Sequence, residues 1–229
     1  KIMSFAKNNN LKVIEDAAPA IGATYDNKKV GSFGDFGCFS FQGAKLLVTG
    51  EGGMVVTDNE ELFSKFKKLW DHGRVPGTFW IDELGYKFKM SNLQAAFGLG
   101  QLENIDTLIE AKRRNYSRYK TNLSNVEGIK LNQAGGNTES IYWMTSVLLD
   151  QNLNISRDSF MEELHKLNID TRTVFPSISQ YPIWGKEYKE NINSKFIGNN
   201  GINLPSGVNL TNDEIDYISN AVISLLENV

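Results

Sequence analysis

An α/β fold is predicted by three observations. Short apolar runs with strand character alternate with segments of helical periodicity through the first half of the chain, capping pairs mark several helix starts, and the second half returns to a strand between helices. The pattern divides the chain into a first domain over residues 1–110 and a second, α+β domain over residues 111–229.

The elements follow in order. Lys1 is not an initiator residue, and Ile2, Met3, Phe5 and Ala6 read as the end of an amphipathic helix already under way, so an upstream segment is expected. Leu11–Glu15 is a short apolar run that ends in acids, and the small residues of Ala17–Gly22 suit a helix; this predicts a buried strand ending at Asp16 and turning into a helix. Phe36–Gln42 alternates, with Phe36, Cys38, Ser40 and Gln42 on one face, which sets Ser40 beside Gln42. Gly52–Thr57 is a further strand. Asp58 with Glu61 marks the start of a helix carrying Leu62, Phe63, Phe66, Leu69 and Trp70.

Ser91 with Gln94 forms a second capping box, opening a long helical region through Leu102, Ile105 and Ile109 that continues in charged form over Lys112–Lys120 and links the two domains. A polar stretch, Asn132–Ser140, introduces a strand over Ile141–Leu149. A helix over Ser156–Leu167, a turn-rich stretch over Arg172–Trp184 and a last helix follow; Thr211 and Glu214 cap that helix, which buries Ile215, Ile218, Val222 and Leu225.

Composition narrows the function. The 229 residues are 41% hydrophobic and 22% charged, the balance of a chain that buries a sizeable core. A formal charge of −3 and no basic patch argue against nucleic acid and anionic membranes. One cysteine, Cys38, makes no internal disulfide, and with two histidines it is too few for a typical structural zinc site; no metal is expected, and cytosol is the default compartment. The apolar stretches fall far short of the roughly 20 residues that span a bilayer.

Three features carry chemistry: Glu15-Asp16-Ala17-Ala18 at a strand end, Ser40-Phe41-Gln42-Gly43-Ala44-Lys45, and Thr49-Gly50-Glu51-Gly52-Gly53. Each alone has an ordinary explanation: Asp16 as a cap, Lys45 as a solvated lysine, the glycines as a turn. Together they place a carboxylate, a hydroxyl and a lysine near the carboxyl ends of neighbouring strands, where open α/β sheets bind ligands. An aldehyde cofactor needs such a set: an amine to condense with the aldehyde, a carboxylate to keep a pyridine nitrogen protonated, and hydroxyls and amides to hold a phosphate.

At these residues the sequence resembles the sugar aminotransferases of the DegT/DnrJ/EryC1/StrS group. The resemblance runs through VIEDAAPAIGA, SFQGAKLLVTGEGGMVVTD, DHG, LGYKFKMSNLQAAFGLGQLE and GINLPSG, in that order. It implies an aspartate-aminotransferase-like fold of type I with pyridoxal 5'-phosphate as cofactor: part of the large domain, then the small one. By position, Lys45 matches the catalytic Schiff-base lysine, Asp16 the partner of the pyridine nitrogen, and Ser40 a hydroxyl on the cofactor phosphate. It also implies a homodimer in which each subunit contributes to the other's site.

The chain departs from the family's pattern in places. Pro19 stands where many members have a polar residue and cannot donate a side-chain hydrogen bond. Gln42 replaces a frequent histidine and is expected to touch cofactor or substrate. Lys87, within Gly85–Met90, replaces an asparagine that in the family reaches the phosphate of the partner's cofactor; it does so as a cation or is an exposed lysine. His72 of the DHG motif lies near the family's site, with a helix-end role favoured by the helix dipole; His165 reads as structural.

The implied reaction is amination of a nucleotide-linked keto-sugar with glutamate as donor. The Trp70–Trp80 stretch and the Gly85–Glu103 block look most like perosamine-synthase-type members, which act on a GDP-linked 4-keto-6-deoxy sugar. Two rivals are a cofactor-dependent sugar dehydratase, whose relatives replace the lysine with histidine, and a non-catalytic fragment or partner subunit.

Overall fold

A computed structural model of the chain describes residues 1–227. The described residues form two compact units, one of residues 1–109 with 135–141 and one of residues 110–134 with 142–227.

The first unit opens with α1 (Ile2–Asn8) and β1 (Ile14–Asp16), then a short hairpin of β2 (Thr24–Tyr25) and β3 (Lys28–Lys29). Next come β4 (Phe36–Ser40) and β5 (Gly53–Val56), α2 (Glu60–Trp70), α3 (Asn92–Leu102) and the start of α4 (Ile105–Leu123). Its main sheet has the order β1-β4-β5. β1 and β4 run parallel, with Ile14, Glu15 and Asp16 opposite Phe36, Gly37 and Cys38; β5 is antiparallel to β4, with Gly53 opposite Ser40. The sheet is therefore mixed, and the strand side chains of Asp16, Cys38 and Ser40 share one face because strand side chains alternate.

Glu15 points to the opposite face and explains why the chain turns where it does. Its carboxylate accepts hydrogen bonds from Gly31 N at 2.8 Å, Phe33 N at 2.5 Å and Gly34 N at 2.7 Å, which fixes the loop entering β4.

Ala17–Gly22 forms turns, not the expected helix. Ala20 N donates to Ala17 O and Ala23 N to Ala20 O, both bonds spanning three residues as in turns, and Gly22 adopts φ +88°, outside the right-handed helical region. The helix after β5 begins one residue later than the Asp58–Glu61 pair predicts, because the Asn59 side chain accepts from Leu62 N at 2.9 Å and is the cap. Phe66 of α2 meets Phe36 of the sheet with ring centroids 6.1 Å apart. The Ser91–Gln94 capping box is present, but the long helical region breaks at Glu103–Asn104 between α3 and α4. The segment 135–141 belongs with this unit because β7 (Thr138–Glu139) pairs antiparallel with β2.

In the second unit the rest of α4 leads to β6 (Ile129–Leu131), β8 (Thr145–Leu149), α5 (Arg157–Lys166), β9 (Arg172–Thr173), α6 (Ile192–Asn200), β10 (Gly201–Leu204) and α7 (Asn212–Glu227). The strands make an antiparallel sheet of order β6-β8-β10-β9. The strand predicted from Ile141 starts at Thr145 instead: Tyr142 adopts φ +48°, which no extended strand accommodates. The expected helices over 156–167 and from Thr211 are present, with Ser156 capping α5 and the Thr211–Glu214 pair bonded as a box.

The core of this unit joins Tyr119 and Leu123 of α4, Val147 and Leu149 of β8, Phe160 and Leu164 of α5, Ile202 of β10 and Ile215 and Val222 of α7. Each such side chain contributes on the order of 1.5–3 kcal/mol on burial. Among the described residues no helix is long and apolar enough to cross a membrane.

Candidate active site

The site is assembled at the end of the sheet where β1 and β4 both finish. Asp16 is the last residue of β1, and Ala17 N continues the parallel ladder by donating to Cys38 O at 2.9 Å. Ala17 is buried while Asp16 is exposed, so the backbone is fixed and the carboxylate is presented outward. Asp16 Oδ1 accepts from Ala18 N at 3.1 Å, which orients the group. Burial, and then the nearby charge of Asp16, push the Cys38 thiol above its ordinary range.

Ser40 ends β4. Gln42, expected to continue the strand alternation, lies beyond it: Phe41 N donates to Gly52 O, and the chain then turns back. The neighbours remain linked, since Gln42 N donates to Ser40 Oγ at 3.3 Å and Gln42 Oε1 accepts from Ala44 N at 2.9 Å. Gln42 O also accepts from Lys45 N at 2.8 Å, closing a turn that carries the half-buried Lys45. Phe41, Leu46, Leu47 and Thr49 are buried around it, and Thr49 N donates to Phe41 O at 2.8 Å. The 41–52 loop is thus sewn to its own base and anchored by apolar side chains, a rigid mount for a lysine. Its outer face is open: a side chain on Gly50 would meet nothing within 4 Å.

Lys87 stands elsewhere in the unit, on the 71–88 hairpin, exposed and bridged through its backbone to Asp71. The structure thus gathers Asp16, Ser40, Gln42 and Lys45 at one sheet end and puts Lys87 on a separate arm. His72 takes φ +67°, and its Nδ1 lies 3.3 Å from Asp71 Oδ1. Burial pushes the Asp71 carboxyl up, but hydrogen bonds from His72 and Lys89 and the charges of Lys89 and Arg74 outweigh it and hold the group below its usual range. The glycine of the DHG motif has a backbone reason: a Cβ on Gly73 would stand 2.0 Å from Glu83 O, and one on Gly85 2.0 Å from Gly73 N. Two glycines let the arms of the hairpin touch main chain to main chain. His165 is exposed on α5, outside this unit.

Glu15 supports the site from the opposite face by fixing the loop that enters β4, and its three backbone partners 16 to 19 residues away leave no local signal in the sequence.

The residue set fits pyridoxal phosphate in kind: an oriented carboxylate, a hydroxyl with neighbouring amides, and an amine on an open, rigid loop.

The profile described as the DegT/DnrJ/EryC1/StrS aminotransferase family matches residues 1–223. GDP-perosamine synthase from Escherichia coli O157:H7 is 36% identical over 223 residues, which cover 97% of this chain and 60% of that protein. Among solved structures, Helicobacter pylori PseC, an aminotransferase involved in the biosynthesis of pseudoaminic acid, superposes with a TM-score of 0.90 at 25% identity over 100% of this chain and 63% of that one. The PLP-form of Spr1654 from Streptococcus pneumoniae gives a TM-score of 0.86 at 26% identity over 98% of this chain and 60% of that one. The chain therefore spans about 60% of the length of the curated relatives it matches.

Proposed function

Because this chain belongs to the DegT/DnrJ/EryC1/StrS aminotransferase family, we propose that it supplies the lysine-bearing part of a pyridoxal-phosphate-dependent sugar aminotransferase. The fold expected from the resemblance, part of a type I aminotransferase, is the one the solved relatives share. The observation that carries the reading is the convergence of Asp16, Ser40 and the Lys45 loop at one end of the β1-β4-β5 sheet.

Pyridoxal phosphate, when bound, supplies an aldehyde and a ring that withdraws electrons. Lys45 would hold it through Nζ and afterwards take and return a proton there as general base and acid. Asp16, oriented by Ala18 N, would accept a hydrogen bond from the ring nitrogen and keep it protonated. Ser40 Oγ would donate to the phosphate. Gln42 would face cofactor or substrate from the turn beneath Lys45, and Lys87 would be offered as a cation to the phosphate in a second copy's site, which makes the active protein a homodimer.

Relatives named GDP-perosamine synthase favour a GDP-linked sugar as substrate, and a 4-keto-6-deoxy sugar as acceptor and glutamate as amino donor are implied by the family resemblance. The test is incubation with pyridoxal phosphate, glutamate and a panel of nucleotide-linked keto-sugars, read by mass spectrometry. Amino-sugar formation that disappears in Lys45→Ala supports the proposal. Product at equal rate in Lys45→Ala, or ketone left untouched with every sugar, counts against it.

A further inference from the structure

Helix α3 turns one face to the loop that carries Lys45. Gln94, Gly98 and Gln101 recur at i, i+4 and i+7, a spacing that stacks them along one side of the helix. Gln101 Nε2 donates to Val48 O at 2.6 Å, and Gln101 Oε1 accepts from Val48 N at 3.1 Å. A single carboxamide therefore satisfies both backbone groups of Val48, as a neighbouring strand would. Gln94 Nε2 donates to Glu51 O at 2.8 Å, while its Oε1 accepts from Ser91 N at 3.2 Å in the capping box.

Gly98 lies between the two glutamines. A Cβ there would stand 2.9 Å from Thr49 Cγ2, so helix and loop approach more closely than any larger residue permits. Thr49 has no slack to give: it is 7% exposed, its N–H is bonded to Phe41 O, and its Oγ1 donates to Glu51 O at 2.8 Å. The 41–52 loop is thus fixed to the sheet at its base and to α3 along its return. Of the side chains that fit, only an amide carries a donor and an acceptor on one planar group; glutamate accepts only, and leucine does neither.

We infer that Gln101, with Gln94 and Gly98, is a positioning residue for Lys45. By clamping the Val48–Glu51 backbone these residues would hold the Lys45 amine in place to condense with the cofactor aldehyde, the aldehyde oxygen being released as water with the two protons of the amine. The inference rests on the assignment of Lys45 proposed above.

The wild-type chain and the variants Gln101→Glu, Gln101→Leu and Gly98→Ala are exposed to limiting pyridoxal phosphate, reduced with borohydride and mapped by peptide mass. Amide hydrogen exchange at Val48 and the melting temperature are measured beside it. The expected result is a loss on the order of ten-fold in the share of label on Lys45 relative to other lysines, the scale of a displaced reacting group. Faster exchange at the Val48 amide should accompany it. Gln101→Glu keeps the acceptor for Val48 N but sets a carboxylate against Val48 O, and Gly98→Ala acts by displacement alone, so either carries the test if Gln101→Leu does not fold. An unchanged Lys45 share in the folded variants overturns the inference, and so does a lowered melting temperature with labelling intact. A wild-type chain that leaves Lys45 unlabelled overturns the assignment of Lys45 and this inference with it, and that result is visible before any variant is made.

Discussion

Asp16 stands in register with Cys38 across the parallel pair β1 and β4, and its carboxylate adds to burial in raising the Cys38 thiol above its ordinary range. The same register sets Ser40, two residues beyond Cys38, on the face that Asp16 occupies. Asp16→Asn removes the charge, so Cys38 should ionise at lower pH, seen as a leftward shift in the pH profile of its alkylation. The same variant should hold pyridoxal phosphate about ten-fold more weakly or worse, since a hydrogen bond to a charged group contributes about 1.5–3 kcal/mol. An unchanged alkylation profile would contradict the proximity.

Lys112 is buried on α4 and donates to Trp143 O at 2.7 Å and Ser206 O at 2.6 Å. Burial lowers its pKa from 10.5 to about 8. Between these values the unfolded chain binds more protons than the folded one, so the burial penalty is full below pH 8 and is relieved as pH rises toward 10.5. Urea titrations at pH 8, 9 and 10 should show wild type gaining stability relative to Lys112→Met across that window. At pH 7 the variant should be less stable by about 1–3 kcal/mol, because the carbonyls of Trp143 and Ser206 lose the hydrogen bonds from Lys112. Parallel pH curves for the two proteins would refute the linkage.

Asp216 of α7 receives Arg118 Nε at 2.7 Å, a second bond from Arg118 Nη2, and Asn122 Nδ2 at 2.8 Å. The Arg118 hydrogen bonds come first among the causes that hold the carboxyl down at about 2, against an ordinary 3.8. Its depressed pKa makes this a contribution present above pH 3.8 and lost as pH falls through about 2. Asp216→Asn should raise the pH midpoint of acid unfolding, followed by circular dichroism; an unmoved midpoint would show that the ion pair stabilises nothing measurable.

Gly73→Ala should destabilise the chain by about 1–3 kcal/mol through left-handed strain alone, with more from the collision at Glu83 O, since Gly73 holds φ +68° there. Chemical denaturation measures it, and a loss below roughly 0.5 kcal/mol would mean the hairpin opens to accept the methyl group.

Much of the sheet end was legible because its signals are local. Asp16 closes an apolar run, Ser40 closes an alternating one, and Lys45 follows within the same glycine-rich stretch, so strand ends and chemistry coincide in sequence. The capping boxes at Ser91 and Thr211 were readable for the same reason. What stayed hidden depends on distant partners. The hairpin of β2 and β3 is completed by β7 more than 100 residues later, and Gln101 reaches Val48 across 53 residues, neither of which leaves a periodic trace. Composition misled at Ala17–Gly22, where small residues suit a helix but successive turns and a left-handed Gly22 occur instead. It misled again at Ile141, where an apolar run conceals the left-handed Tyr142.

The role of Lys45 is tested most directly by incubating the protein with pyridoxal phosphate, reducing with borohydride and mapping the modified peptide by mass. Label concentrated on Lys45, weakened in Asp16→Asn and absent in Lys45→Ala, is the expected result. Label spread evenly over surface lysines, or unaltered in total by Lys45→Ala, would contradict the assignment of Lys45 as the residue that holds the cofactor.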